Sequence, residues 1–191
     1  LELSKTYSFK DMAILVRANN HAQLVTTALQ RHKIPYQFLG PGYLFQQDEV
    51  KDLIAYIMFL NNLSDTVSLF RVISMDIFGI PSVELNFLLN FSKKKNLTLF
   101  ESLYFLDQPF LKPETQQKLT KFKEMVERHI ELSKRDGGGQ ILYYFLIDSG
   151  IFETLAKTDT TKEERRVQNI AKFFDRIKNF ESEKENSNIF T

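Results

Sequence analysis

Apolar positions recur along this chain with two different periods. Residues 12–16, Met-Ala-Ile-Leu-Val, form a short unbroken apolar run rich in β-formers, which predicts a strand buried on both faces of a sheet. Between His21 and His32 the apolar residues Leu24, Val25, Ala28 and Leu29 fall on one helical stripe. Residues 34–39, Ile-Pro-Tyr-Gln-Phe-Leu, then predict a second strand, with Pro35 at its start, where a missing N–H is tolerated. Strand, helix and strand within about thirty residues is the size of one βαβ crossover. One such unit makes no sheet by itself, so the pattern implies either further strands from sequence outside this chain or an exposed sheet edge.

Beyond residue 47 the period becomes helical. Val50, Leu53, Ile54, Ile57, Phe59 and Leu60 form a stripe behind an acidic first turn, Asp48 and Glu49, which complements the helix dipole. The polar stretch Asn61-Asn62-Leu63-Ser64-Asp65 breaks that helix and marks a domain boundary. Thr98 with Glu101, and Thr161 with Glu164, have the spacing of capping boxes. Leu119, Phe122, Val126 and Ile130 make one further stripe, and Val167, Ile170, Phe173, Phe174, Ile177 and Phe180 make another. The glycine-rich residues 135–140 follow a helix and precede no Lys-Ser/Thr pair, which predicts a flexible connector rather than a phosphate loop. The expected fold is mainly α, with a small α/β unit in residues 1–62 and an irregular helical domain in residues 63–191.

Composition narrows the class. The chain is 43% hydrophobic and 26% charged, as in ordinary globular proteins, and no apolar run approaches the ~20 residues of a membrane span, so no membrane partner is expected. It has no cysteine, which excludes disulfides, thiolate metal sites and thiol catalysis and fits a reducing compartment, so the cytoplasm is the expected location. With 25 Lys+Arg against 24 Asp+Glu there is no global field for a polyanion, and any nucleic-acid contact has to be local. The chain starts at Leu1 without a basic-then-apolar leader and reads as a piece of a larger protein.

Catalytic signatures are missing from the sequence: there is no G-x-x-x-x-G-K-[ST], no G-x-G-x-x-G and no G-x-S-x-G. His21, His32 and His129 have no metal-ligand spacing and are expected on helix surfaces or flanks. The adjacent acids Asp48/Glu49 and Glu163/Glu164 sit in helix first turns, where dipole compensation accounts for them. Catalysis within these residues is therefore not expected. Arg17, Asn19 and Asn20 follow the first predicted strand, at the carboxyl-end crevice where open α/β sheets bind ligands. The alternative is that an asparagine caps the next helix and Arg17 makes a surface pair.

Three consecutive blocks carry a resemblance. Residues 11–23, DMAILVRANNHAQ, residues 34–57, IPYQFLGPGYLFQQDEVKDLIAYI, and residues 69–85, LFRVISMDIFGIPSVEL, resemble in order and interval the UvrD/PcrA/Rep family of superfamily 1 DNA helicases. The matching positions are Ile14, Leu15, Arg17, Asn19, Pro35, Tyr36, Gly40, Phe45, Glu49, Lys51, Asp52, Arg71, Val72, Gly79 and Ile80. The resemblance implies part of a second RecA-like motor domain, with a short parallel βαβ segment, attached to a helical accessory domain of the 2B type. It implies that this fragment binds no cofactor of its own, that ATP and Mg belong to the parent helicase, and that the partners are single-stranded and duplex DNA, bound without sequence preference, together with the remaining motor domains. The DNA-binding residues it implies are Arg17, Asn19, Tyr43, Lys51, Arg71, Gly79 and Ile80. Tyr43 offers a face for base stacking, and its role stays open, while Phe45 is expected in the core.

The sequence departs from the family pattern at four places. Phe78 stands for the usual arginine, Pro81 for the second glycine of a G-I-G turn, and Gln47 and Gln23 occupy positions where arginine is common. These changes remove cations and a backbone donor, so the phosphate contacts are expected to be weaker and less salt-dependent. The basic runs Lys93–Lys95, Lys118/Lys121/Lys123 and Arg165/Arg166 either compensate or form solvated helix faces. With 18 phenylalanines, a protein-interaction scaffold is the alternative from another class, and the equivalent part of a helicase-nuclease is an alternative within the superfamily.

Overall fold

The computed structural model describes residues 6–37, 41–157 and 160–182. The chain divides into two compact units, residues 1–47 and 48–191. The described elements of the first are a 3-10 turn (Phe9–Asp11), helix α1 (Asn19–Arg31) and a second 3-10 segment (Pro41–Gln46). The expected RecA-like α/β unit with its parallel βαβ segment is not there: no strand occurs among the described residues. Residues 12–16 and 34–37 form neither strand nor helix, and residues 38–40 of the second predicted strand lie outside the described residues. The reason is physical. An apolar run becomes a strand only where a neighbour satisfies its backbone and covers its faces, and here Leu15 is 96% exposed. Helix α1 begins with Ala18, not an asparagine, as its cap residue. Phe45, expected in the core, is exposed.

The regular elements of the second unit among its described residues are helices: α2 (Asp48–Asn61), α3 (Thr66–Ile73), α4 (Ser82–Lys95), α5 (Leu99–Ser102), α6 (Pro113–Leu132), α7 (Gly138–Asp148), α8 (Ile151–Lys157) and α9 (Thr161–Ser182), with a short 3-10 turn between α3 and α4. Helix α2 lies against α3, α7 and α9 and buries Val50, Leu53, Tyr56, Phe59 and Leu60. Its end at Asn61 follows from the polar break, after which the Asp65 carboxylate accepts from Val67 N at 3.1 Å and Ser68 N at 3.0 Å to start α3. The capping box at Thr98 and Glu101 forms as its spacing predicts, with both reciprocal bonds present. At α9 the cap falls one residue earlier than predicted, on Thr160, whose hydroxyl accepts from Glu163 N. Along α9, Ile170 and Phe173 are buried while Val167 and Phe180 stay exposed. The glycine-rich stretch is used for packing as well as turning. Gly139 opens the first turn of α7 and donates its N–H to Glu181 at 2.9 Å, and a Cβ there would meet Glu181 and Ile177 of α9 at 3.2 Å.

A buried polar line runs through this core. Thr115, Leu119, Phe122, Val126 and His129 of α6 and its C-cap Ser133 recur at steps of four and three, and all are buried. His129 thus sits on the core face and is fully buried, which corrects its expected place on a helix surface. Asp148 of α7, also paired with Arg128, lies 2.7 Å from His129 Nε2, and the Tyr56 hydroxyl of α2 lies 2.5 Å from Nδ1. An ionised carboxylate only accepts, so Nε2 carries the proton and Nδ1 accepts from Tyr56. The Tyr56 ring stacks on Phe145 of α7, with centroids 3.9 Å apart and planes at 17°.

Burial, and then the nearby Arg128 cation, push the His129 pKa from 6.5 down to about 4. Between those values the unfolded chain takes up a proton that the folded chain excludes. Stability from this site is therefore complete above about pH 6.5 and is lost as pH falls toward about 4, by on the order of 3 kcal/mol. Urea unfolding at pH 7 and at pH 4.5 checks this: the wild-type midpoint falls more over that interval than the midpoint of His129→Gln, and equal falls contradict it.

Candidate nucleic-acid interface

The chain between α3 and α4 makes a tight exposed turn. Residues Asp76–Phe78 form a 3-10 turn that ends at Gly79 with φ 57° and ψ 35°, a left-handed conformation that favours glycine. The turn is pinned from below. Phe78 points inward, its ring edge-on to Phe122 of α6 with centroids 4.9 Å apart and tilted against Phe145 of α7 at 6.5 Å. Gly79 is exposed and Ile80 half-buried. The backbone N–H groups of Phe78 and Gly79 are already used, bonded to Met75 O at 3.1 Å and Asp76 O at 3.0 Å. Pro81 has no N–H, so among residues 78–81 only Ile80 N–H is left without a partner among the described residues.

A cation reaches this turn from another helix. Lys118, one helical turn before Phe122 on α6, donates from Nζ to Gly79 O at 3.0 Å and pairs with Glu114 Oε1 at 2.7 Å. Hydrogen bonding from Lys118 holds the exposed Glu114 carboxyl below its ordinary range. Lys118 appears in the sequence only as one of a basic run. The signal that separates it is its spacing of four before a core phenylalanine, which puts it at the rim of the buried stripe.

Lys51 and Arg71 meet around one acidic residue. Arg71 Nε donates to Asp52 Oδ1 at 2.7 Å, its Nη2 lies 3.4 Å from Asp48 Oδ1, and Lys51 Nζ lies 3.8 Å from the same oxygen. The guanidinium therefore braces α3 against α2. Burial raises the Asp52 carboxyl above the usual carboxylate range, and the Arg71 charge and hydrogen bond oppose that rise. From this pair an open groove of about 590 Å³ runs past Met75 and Asp76 to Ile151 and Leu155. Glu49, another matching position, accepts from Asn169 Nδ2 of α9 at 2.7 Å.

Arg17, Asn19 and Tyr43 belong to the first unit, and Lys51, Arg71, Gly79 and Ile80 to the second. Arg17 is exposed just before α1, Asn19 is the first residue of α1, and Tyr43 lies in the 3-10 segment Pro41–Gln46. The side chains of Asn19 and Tyr43 lie outside the described part of the structure. Of the other basic residues, Lys93–Lys95 close the last turn of α4, Lys123 lies over the Tyr104 ring at 4.6 Å, and Arg166 pairs with Glu163. Among the described residues no group of three or more His, Cys, Asp or Glu is placed to hold a metal ion, and no helix is long and apolar enough to cross a membrane.

A helical unit built on α2, with an exposed glycine turn mounted on its aromatic core, is the form that the third sequence block takes. The chain belongs to the UvrD-like helicase C-terminal domain family, whose model matches residues 1–190. It is 26% identical over 173 residues to the ATP-dependent DNA helicase PcrA of Staphylococcus aureus (strain Mu50), covering 91% of this chain and 24% of that protein. It is 25% identical over 173 residues to PcrA of Staphylococcus epidermidis (strain ATCC 12228), with the same coverage. The chain thus spans about a quarter of the length of the curated relatives it matches.

Removing Arg71 leaves the half-buried Asp52 without its main partner. Arg71→Leu is expected to destabilise the chain by roughly 1 to 3 kcal/mol, and Asp52→Asn/Arg71→Leu together by less than the sum of the single changes. A double-mutant cycle in urea measures this, and additive losses contradict the bracing role.

Proposed function

We propose that this chain is the DNA-contacting, regulatory part of an ATP-dependent DNA helicase. In this reading residues 1–62 belong to the second motor domain and residues 63–191 form a 2B-like accessory domain. Single-stranded and duplex DNA are its partners, held through the backbone without reading sequence. The remaining motor domains of the same protein bind ATP and Mg and perform hydrolysis, and the whole works in the cytoplasm. Arg17, Asn19 and Tyr43 face the single strand, and Gly79 and Ile80 meet duplex phosphates. Lys51 and Arg71 add DNA contacts from α2 and α3, and Arg71 also braces α3 against α2 through Asp52.

The observation that carries this reading is the Gly79 turn itself: exposed, left-handed, and fastened through Phe78 to Phe122 and Phe145, at the position of the third sequence block in a chain of this family. A turn that protrudes from a packed core without a side chain lets a phosphate approach closely. Its small number of cations fits weak contacts that add to those of the other domains.

Binding of the chain to duplex DNA with a single-stranded tail, at two salt concentrations, tests the proposal. Wild type is expected to bind more tightly at low salt, Gly79→Asp to lose most duplex affinity, and Arg17→Ala to weaken the tail contribution. Salt-independent or absent binding, with Gly79→Asp indistinguishable from wild type, removes the reading and favours an interaction scaffold.

A further inference from the structure

We propose that Lys118 is the phosphate-facing cation of the Gly79 turn, and that Glu114 holds it in competition with the DNA backbone. The inference rests on the duplex-contact reading above and names a residue outside all three sequence blocks. Position 78 carries no cation, because its phenylalanine is spent as an anchor against Phe122 and Phe145. The Gly79 N–H is closed into its own 3-10 turn. The turn would then meet a phosphate with little more than the Ile80 N–H. Lys118 changes that, because its ammonium lies at the turn, 3.0 Å from the Gly79 carbonyl.

An ammonium has three donors. The Gly79 carbonyl takes one and Glu114 another, at 2.7 Å, which leaves a third beside the exposed glycine. The bond to Gly79 fixes where the charge sits. The bond to Glu114 is readily exchanged, because the carboxylate side chain is 76% exposed and surface ion pairs contribute little. A phosphodiester carries the same single charge as this solvated carboxylate, but it sits in the dense charge array of a duplex and its pairing with a lysine releases condensed counterions, so it takes the place of Glu114 without moving the lysine. Phe78 and Lys118 together thus divide between two helices the tasks of anchor and cation.

Three variants of the full chain test this against a tailed duplex of random sequence. Lys118→Gln keeps a donor for the Gly79 carbonyl but loses the charge. It is expected to reduce the slope of log affinity against log salt by about one unit, so that a fourfold rise in salt weakens wild type roughly fourfold more than the variant. Lys118→Arg is expected to keep the wild-type slope, and Glu114→Gln to raise affinity at low salt. Thermal unfolding of each variant separates a loss of charge from a loss of fold. An unchanged slope in a folded Lys118→Gln chain, with Gly79→Asp still defective, overturns the role of Lys118 and leaves the duplex reading standing. Lower affinity in Glu114→Gln overturns the competition. A wild-type chain without salt-dependent duplex affinity removes this inference together with the reading beneath it.

Discussion

Tyr56 is the point on which the second unit closes. Its ring needs an apolar face and its hydroxyl needs an acceptor, and both have to be met at one buried place. Phe145 supplies the face and His129 the acceptor, so α2, α6 and α7 meet in one arrangement. Asp148 keeps His129 in the tautomer that accepts from Tyr56, while Arg128 offsets the carboxylate charge. Each partner is specific. Sliding α2 by one residue would leave a hydroxyl and a ring nitrogen buried without partners, which costs about 1 to 3 kcal/mol for each group.

The Gly79 turn inherits its position from this cluster. Phe78 rests on Phe145, the ring that carries Tyr56, and on Phe122, two helical turns before His129. An arginine at the half-buried position 78 would give up the ring contacts with Phe122 and Phe145, and the turn would lose that anchor. A phenylalanine there anchors the turn on two aromatic rings, and the cation bonded to its glycine, Lys118, comes from a neighbouring helix. Arg71 plays a related part lower down, where its guanidinium serves α2 through Asp52 and Asp48. In this chain, positions that match the family by residue type are split between bracing and exposure.

The helical half was legible from residues 48 onward because amphipathic stripes and polar breaks act locally. The stripe of α2, the end at Asn61 and the box at Thr98 all depend on residues within a few positions of one another. The strands were not legible in the same way. An apolar run such as residues 12–16 carries β preference, but a sheet needs partners that no local signal guarantees, and the described residues contain none. His129 was misplaced because a titratable residue reads as polar, although the steps from Thr115 to Ser133 put it on the buried stripe. Lys118 was lost in a basic run, since its role depends on a contact 39 positions away. The family blocks located the turn and could not reveal that its anchor and its cation come from different elements.

The most direct test of an aromatic-anchored, DNA-facing turn is to follow the backbone and lysine resonances of the labelled chain by NMR while a tailed duplex is added. The account predicts that shifts concentrate at residues 78–83 and at the Lys118 ammonium, with the tail adding shifts at Arg17, Asn19 and Tyr43, while Tyr56, His129 and Phe145 stay unchanged. Shifts confined to other surfaces, or a Tyr56–His129–Phe145 cluster that rearranges on binding, would contradict it.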